Sequence, residues 1–385
     1  MSEWRKVKFL DLFALPSRNG LTKPSRVRGS GYKMINMGEL FSNGRIYDIP
    51  MELVPLNDKE KEVAKVERYD LLFARQSLVL EGAGKCSIVM DVSDLTTFES
   101  HLIRVRLDYN IANPLFYYYY FSSSLSPISS IVSQCAQAGI KGSDLVQIMV
   151  DFPPLHIQHR IATILSSYDS LIENYQKQIK LLEESAQRLY KEWFIDLCFP
   201  GHVNTKIVDG IPEGWEKKKV GDLISKVRRT KQVSANNYLN SGCIPVIDQS
   251  RNYIAGYTND IESLVEVTIP YIVFGDHTRV LKYVPFSFAK GADGTQLIMS
   301  NDLERMPQSL FYNSLIEIDL SNYSYARHFK YLKEESILVP SKDIAQRYDK
   351  VVSQYFKSIQ KSRGQIHHLT EARDRLLPKL MNGEI

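Results

Sequence analysis

The sequence contains an internal repeat, and this repeat limits the possible fold more than any other feature. Residues 4–12 (WRKVKFLDL) align with residues 215–223 (WEKKKVGDL), sharing the tryptophan, two lysines and the Asp-Leu pair. Residues 157–194 align with residues 344–381 at matched isoleucine, arginine, tyrosine and leucine positions. The opening segments are offset by 211 residues and the closing segments by 187, so the second copy is 24 residues shorter inside. Two copies of one plan predict two similar domains whose variable middles serve different targets.

Both closing segments carry apolar residues at alternating spacings of three and four, which is the pattern of a coiled-coil seam. In the first segment these residues are Ile161, Leu165, Tyr168, Ile172, Tyr175, Ile179, Leu182, Leu189 and Trp193. In the second they are Tyr348, Val352, Tyr355, Ile359, Ile366, Leu369, Leu376 and Leu380. Because two matched seams can bury each other, we expect the two helices to pair. Packing of each helix on its own domain is the alternative.

Several residues set the expected ends and weak points of these helices. Ser362 and Arg373 fall on seam positions of the second helix and predict weaker pairing there. Residues 153–154 (PP) and Pro340 immediately precede the two helices, where proline is tolerated. Pro378 is predicted to end or kink the second helix near its C-terminus.

The middle of each half has the pattern of a mixed α/β domain. Short stretches rich in β-formers and bounded by Gly, Asp or Ser predict strands at residues 71–74, 86–90, 102–105, 270–274 and 297–299. Residues 115–121 (LFYYYYF) predict a buried helix rather than a surface on which bases stack. The predicted fold class is therefore α/β (α+β), with two globular domains separated by two long helices.

Proline and glycine clusters give the predicted domain boundaries. The predicted divisions are a first domain at residues 1–152, a helix at 153–199, a linker at 200–214, a second domain at 215–339 and a C-terminal helix at 340–385.

The motifs of common enzymes are incomplete. Residues 82–85 (GAGK) resemble the end of a phosphate-binding loop, but Val79 replaces the first glycine and Cys86 the magnesium-binding hydroxyl, so we interpret them as a turn. Residues 113–116 (NPLF) lack the second proline of the adenine methyltransferase motif and have no glycine-rich cofactor loop beside them. The four cysteines form no C-x-x-C pair and the histidines no metal-binding motif. We expect a non-catalytic chain with no metal or cofactor of its own.

Basic and polar residues occur at equivalent places in the two halves and suggest contact with nucleic acid. The net charge of +4 does not decide the matter, but residues 17–33 contain five cations and no acid, and residues 226–231 repeat the pattern. Polar residues also follow the predicted strands at 71–74 and 270–274, where side chains can reach base edges. The candidate DNA-binding residues are Arg18, Lys23, Arg26, Arg28, Arg75, Gln76, Ser77, Arg228, Arg229, Lys231, His277, Thr278 and Arg279. Solvated surface loops and turn caps are the alternative.

Three further segments support a family resemblance. They are residues 153–161 (PPLHIQHRI), residues 211–215 (IPEGW) and residues 375–385 (RLLPKLMNGEI). In this order, with the two proline-led helices, they resemble the specificity (S) subunit of Type I restriction-modification systems. The resemblance covers nearly the whole chain.

The resemblance implies two target-recognition domains, each binding one half of a bipartite double-stranded DNA target. It implies that the two conserved helices pair antiparallel, set the gap between the half-sites and dock methyltransferase (M) subunits. A helix over residues 161–193 would be about 50 Å long, or roughly 15 base pairs of duplex. Restriction/translocase (R) subunits are the other expected partners, with S-adenosylmethionine, ATP and Mg²⁺ used by the partners in DNA methylation and restriction.

Two other functions remain open at this point. One is a coiled-coil scaffold without DNA specificity, and the other is a methyltransferase or nuclease that acts by itself. No stretch approaches the ~20 apolar residues of a membrane span, and the first residues carry charge where a signal peptide would be apolar. We therefore expect a cytoplasmic protein.

Overall fold

The computed structural model of the chain describes residues 4–134, 138–228, 230–323 and 327–384. They belong to two compact units. Unit 1 comprises Met1–Glu173 and Ile366–Ile385, and unit 2 comprises Asn174–Gln365.

Unit 1 contains the first globular domain. Its strands are β1 (Lys6–Lys8), β2 (Phe13–Asn19), β3 (Tyr32–Ile35), β4 (Arg45–Ile46), β5 (Glu52–Val54), β6 (Leu71–Ala74), β7 (Gln76–Ser77), β8 (Cys86–Val89), β9 (Thr96–Phe98), β10 (Leu102–Leu107), β11 (Ser133–Gln134), β12 (Ala138–Gly139) and β13 (Met149–Asp151). Its short helices are α1 (Met37–Ser42), α2 (Asp58–Val63), α3 (Pro114–Ser122) and α4 (Gly142–Leu145). The long helix α5 (Leu155–Tyr190) begins in unit 1 and continues into unit 2.

Unit 2 contains the second globular domain. Its strands are β14 (Ile207–Val208), β15 (Ile211–Pro212), β16 (Glu216–Lys219), β17 (Ile244–Ile247), β18 (Gly256–Thr258), β19 (Leu264–Val265), β20 (Tyr271–Gly275), β21 (Leu281–Val284), β22 (Phe288–Lys290), β23 (Thr295–Ile298) and β24 (Ser336–Val339). Its short helices are α6 (Gln308–Ile316) and α7 (His328–Glu334). The long helix α8 (Lys342–Met381) begins in unit 2 and ends in unit 1.

A five-stranded sheet in the order β2-β10-β6-β8-β4 forms the centre of unit 1. Successive side chains of a strand point to opposite faces of the sheet. Leu71 and Phe73 accordingly belong to the hydrophobic cluster that includes α3, whereas Leu72 and Ala74 belong to a second cluster with α1. Every residue of β6 is buried. Burial on both faces explains why this strand is a continuous apolar run.

Two small sheets form the centre of unit 2. β20 lies between β21 and β23, antiparallel to both. β17 pairs antiparallel with β18 and parallel with β22, and β19 completes that sheet. Among the described residues of unit 2, the largest cluster of buried side chains joins β20 and α6 to residues of α5 and α8.

The two units share one topology, which confirms the internal repeat and extends it to the middles. In each, the opening strand pairs antiparallel with the strand before a long helix, β1 with β13 and β16 with β24. The parallel pair β3 and β9 corresponds to β17 and β22. The antiparallel pair β6 and β10 corresponds to β20 and β23. The middle parts of the two halves therefore differ in the loops that connect their strands and not in their strand topology.

The local predictions from the sequence largely match the observed elements. The five strands expected from apolar patterning correspond to β6, β8, β10, β20 and β23, with ends shifted by up to two residues. The aromatic run forms the buried helix α3, whose N-cap is Asn113: its Oδ1 accepts the backbone N–H of Phe116. Pro378 lies inside the last turn of α8, which ends at Met381.

In unit 1, the beginning of α5 packs against the end of α8. Ile161 and Leu165 belong to the same buried cluster as Leu380, and Leu376 packs against it. In unit 2, the hydroxyl of Tyr348 donates to the backbone oxygen of Ala186 at 3.2 Å. All the predicted seam residues are buried or partly buried. The two helices form the expected antiparallel pair.

Arg373, which the sequence analysis expects to weaken this pairing, has an acidic partner across the seam. Its Nη1 lies 2.6 Å from Oδ1 of Asp169, whose side chain is buried. The hydroxyl of Tyr119 donates to the other oxygen of Asp169 at 2.6 Å. Ser362, the second polar seam residue, is buried. A charge that is paired and hydrogen-bonded in this way is compatible with burial.

We expect Arg373→Ala to lower the free energy of unfolding by about 3 kcal/mol, because it leaves the buried carboxylate of Asp169 without its cation. Chemical denaturation of the purified chain would measure the change. Arg375→Ala is the matched control: Arg375 is an exposed residue of the same helix in an i,i+4 pair with Glu371, and its loss should cost less than about 0.5 kcal/mol. Equal effects of the two substitutions would contradict the role assigned to Asp169.

Candidate nucleic-acid interface

In unit 1, the strand pairing brings several polar residues to one edge of the central sheet. Asn19, at the end of β2, lies opposite Ile103, while Leu102 lies opposite Ala74, at the end of β6. The residues at or just beyond these strand ends are therefore neighbours: Arg18, Arg75, Gln76, Ser77 and His101. Sequence analysis identified all of these except His101. The signal that it missed was the position of His101 directly before a strand that pairs with β6.

Gln76 and His101 form a hydrogen-bonded pair at this edge. Oε1 of Gln76 lies 2.9 Å from Nδ1 of His101. With Nδ1 as the donor, a neutral imidazole keeps Nε2 as an acceptor, and the Gln76 amide keeps its N–H donors. Gln76 is fixed further by its place in β7, opposite Gly139 of β12. The pair thus presents both a donor and an acceptor on an anchored backbone.

In unit 2, a similar polar cluster lies where β17 and β20 end. Gln249 follows β17: its side-chain oxygen accepts the backbone N–H of His277 at 3.1 Å, and its amide donates to the backbone oxygen of Asp293 at 3.0 Å. The Thr278 hydroxyl donates to the Gln249 backbone oxygen at 2.6 Å. Gly294 has φ +72°, and a Cβ there would lie 2.8 Å from the His277 ring. Only glycine allows the cluster to close this tightly.

The predicted residues of this second cluster have different environments. His277 and Thr278 are exposed. Arg279 has φ +62° and donates from Nη1 to the backbone oxygen of Leu320, so its side chain is partly held by the fold. Sequence analysis missed Gln249, although a polar residue just after the short strand at 244–247 was a usable signal.

Three of the predicted basic residues are compensated by acids from elsewhere in the chain. Lys23 binds Glu60 at 2.8 Å and thereby lowers the pKa of that carboxyl, and Arg28 binds Glu52 at 2.6 Å. Lys231 binds Asp260 at 2.9 Å, and this hydrogen bond is the main cause of its raised pKa. These acids are distant in sequence, so the acid-free windows did not reveal them.

Besides Arg279, three of the predicted cations are exposed and unpaired among the described residues. Arg18, Arg26 and Arg228 form no ion pair with any residue that the structure describes. Arg229 lies outside the described residues. Since phosphate contact requires an available cation, Arg18, Arg26 and Arg228 are the strongest of the described basic candidates.

A buried lysine holds the segment that carries Gln249. Lys282 of β21 is 4% exposed, and its ammonium donates to the backbone oxygen of Asn252 at 2.5 Å. Its Nζ lies 3.7 Å from Oδ1 of Asp248. Burial outweighs this neighbouring charge and lowers the lysine pKa to about 8. Lys282 therefore holds the chain on both sides of Gln249, although the burial of its charge is electrostatically unfavourable.

This cost makes stability depend on pH in a defined direction. The folded pKa of Lys282, about 8, is below the ordinary lysine value of 10.5, so the unfolded chain binds more protons between these values. The Lys282 contribution to the free energy of unfolding should rise from pH 8 to pH 10 by about 2 kcal/mol. Denaturation of wild type and Lys282→Met across this range would measure it. A difference between the two proteins that stays constant with pH would contradict the depressed pKa.

Some kinds of site are absent from the part of the chain that the structure describes. No group of three or more His, Cys, Asp or Glu side chains there could hold a metal ion. The described cysteines Cys86, Cys198 and Cys243 are free thiols. Among the same residues, no helix has the length and apolar character to cross a membrane.

Comparison with known proteins gives consistent similarities. Residues 1–184 match the Type I restriction modification DNA specificity domain. The chain is 26% identical over 319 residues to the Type I restriction enzyme MjaIX specificity subunit of Methanocaldococcus jannaschii, covering 76% of this chain and 73% of the relative. It is 20% identical to the HindI specificity subunit of Haemophilus influenzae, with both chains fully covered. The crystal structure of a Type I S subunit from M. genitalium is similar with a TM-score of 0.61 and 17% identity, covering 98% of this chain and 96% of that one.

The similarity to the M. genitalium structure shows that this chain has the fold of that S subunit. Residues 1–184 belong to the family of Type I restriction modification DNA specificity domains, and the relatives named above are Type I specificity subunits. Members of this family are non-catalytic, and their role is DNA recognition.

Proposed function

We propose that each unit of this chain binds one half of a bipartite double-stranded DNA target. The supporting observation is the repeated sheet edge: a polar residue follows each of the equivalent strands β6 and β20, Gln76 in unit 1 and His277 in unit 2, and each is hydrogen-bonded to a polar residue from another segment, His101 and Gln249 respectively. If each unit binds one half-site, each unit needs such an edge, and the internal repeat provides one in each. The proposed target-recognition domains are residues 1–152 and 215–339, joined to the helices at 153–199 and 340–385 through the linker at 200–214.

The polar groups at these edges suit base recognition in the major groove. Adenine presents N7 as an acceptor and its amino group as a donor. The free amide donor of Gln76 and the free ring acceptor of His101 complement that pattern chemically. We propose that this pair contacts a base, that Arg18, Arg26 and Arg228 contact phosphates, and that the ion-paired Lys23, Arg28 and Lys231 contribute less.

The two long helices have a separate role in this proposal. We propose that α5 and α8 set the gap between the half-sites and that their faces outside the seam dock methyltransferase subunits. Restriction/translocase subunits complete the complex. S-adenosylmethionine, ATP and Mg²⁺ are used by those partners. The proposed place of action is the cytoplasm.

Arginine substitutions test the phosphate contacts. In the complex with the methyltransferase, Arg18→Ala and Arg228→Ala should each weaken duplex binding. Each should also reduce the slope of log K against log salt by about 1, because one fewer counterion is released. Fluorescence anisotropy at several salt concentrations gives both quantities. Lys231→Ala is the control, since Asp260 and Glu262 already bind that cation. An unchanged slope for an arginine variant would remove that residue from the interface.

Methylation mapping tests the proposed function as a whole. Cells that carry this chain with its neighbouring methyltransferase should show N6-methyladenine at a split sequence motif, and deletion of this chain alone should abolish it. Genome-wide detection of the modified base would give both half-sites and the gap. An unchanged pattern, with the methyltransferase shown to be expressed and active, would contradict the DNA-specificity role.

A further inference from the structure

The loop between β6 and β8 of unit 1 exposes three consecutive apolar side chains. Leu78 is 90% exposed, Val79 58% and Leu80 48%. Single exposed apolar residues are common on protein surfaces, but an uninterrupted run of three is unfavourable unless it has a function. The run begins immediately after Gln76 and Ser77, the residues placed above at the candidate interface. Its position therefore suggests that the run serves the same ligand.

The fold holds this loop in a defined shape. On its first side, Gln76 and Ser77 form β7, which pairs with β12. On its second side, the backbone N–H of Gly84 donates to the Ala74 oxygen at 2.8 Å, and the Ala74 N–H donates to the Lys85 oxygen at 2.9 Å. Within the loop, the Gly82 N–H donates to the Val79 oxygen at 3.1 Å. Both ends are thus anchored while the apolar tip projects into solvent, so little additional ordering is needed on binding.

Leu78 is also continuous with the polar cluster. It lines a cavity of about 360 Å³ together with Gln76, Ser77 and His101, and with Met37 and Phe41 on its apolar side. Cations surround the loop base: Arg75 and Lys85 bracket it, and the exposed Lys141 follows Ile140, whose N–H donates to the Arg75 oxygen. One acid, Glu81, lies in the loop itself. A loop with an apolar tip and mainly basic residues at its foot fits the groove of a polyanion better than it fits a neutral protein surface.

The connection between β20 and β21 of unit 2, all of whose residues the structure describes, has no equivalent of this tip. Between β20 and β21 the chain turns within residues 276–280, where the Gly275 N–H donates to the Val280 oxygen and the Arg279 N–H to the Gly275 oxygen. The exposed residues of this turn, His277, Thr278 and Arg279, are polar. The apolar tip is thus an addition to the unit 1 connection and not part of the shared topology.

We propose that Leu78 and its neighbours Val79 and Leu80 insert between stacked base pairs of the DNA half-site bound by unit 1. Apolar side chains that enter a base step unstack it and bend the duplex, and the sequence-dependent cost of that deformation contributes to specificity. The site adds recognition through DNA deformability to the hydrogen-bond contacts of Gln76. This inference rests on the proposed function, because it requires that unit 1 binds duplex DNA.

The test uses the complex of this chain with its methyltransferase and a duplex of the methylated motif, with 2-aminopurine placed in turn at each step of the unit 1 half-site. Wild type should raise the fluorescence at one step, which reports unstacking. Leu78→Ala should abolish the rise and weaken binding roughly tenfold, as expected from losing an inserted side chain. Leu78→Met, which keeps an apolar side chain of similar size, should retain most of the signal.

The matched control is Val203→Ala, because Val203 is 83% exposed and lies in the linker. Leu78 is so exposed that its substitution should leave folding unchanged, and the melting temperature checks this. Normal binding by Leu78→Ala with an unchanged fluorescence rise would overturn the insertion and leave the proposed function intact. Loss of methyltransferase co-purification in Leu78→Ala without DNA would also overturn it, since the loop would then be a protein contact. Failure of wild type to bind the motif would contradict the proposed function itself.

Discussion

The pairing of α5 with α8 is the interaction on which the rest of the structure depends. An isolated amphipathic helix of this kind leaves an apolar stripe in water, and its stability comes mainly from burying that stripe. In unit 1 the buried cluster that contains Ile161 and Leu380 also contains Phe73 of β6. In unit 2 the cluster that contains Tyr348 also contains Phe274 of β20. Each globular domain therefore shares one core with the helix pair, and its strand ends are held by the same packing.

Two charged pairs within the seam give this packing a defined register. Arg373 pairs with Asp169 in unit 1, and Arg363 pairs with Glu183 at 3.0 Å in unit 2, where it also stacks on the Tyr253 ring. A sliding of one helix along the other would separate these partners and leave partly buried charges uncompensated. Apolar seam residues tolerate such sliding far better, because one aliphatic side chain can replace another. The charged pairs thus restrict the helices to one alignment.

Much of the fold was predictable because its signals are local. The heptad pattern and the apolar runs at 71–74 and 270–274 determine elements that depend on neighbouring residues. The ion pair between Lys23 and Glu60 was not predictable, because it joins residues 37 positions apart through a fold that the sequence pattern does not specify. His101 and Gln249 each lie next to a strand, but their contacts with identified residues come from the tertiary fold, which the sequence pattern does not specify. Sequence patterns identified part of the candidate site. Tertiary contacts determined which further residues belong to it and which of its charges are paired.

Under the proposed function, the common topology of the units lets one kind of domain bind two different targets. The strands that carry the polar residues are held in place by their burial. The connections after β6 and β20 lie at the sheet edge and contribute little to the hydrophobic core. A connection at this edge can change length and chemistry at small cost in stability, as the apolar tip at 78–80 and the polar turn at 276–280 illustrate. Specificity can therefore diverge between the two halves while the helices and sheets that position them stay the same.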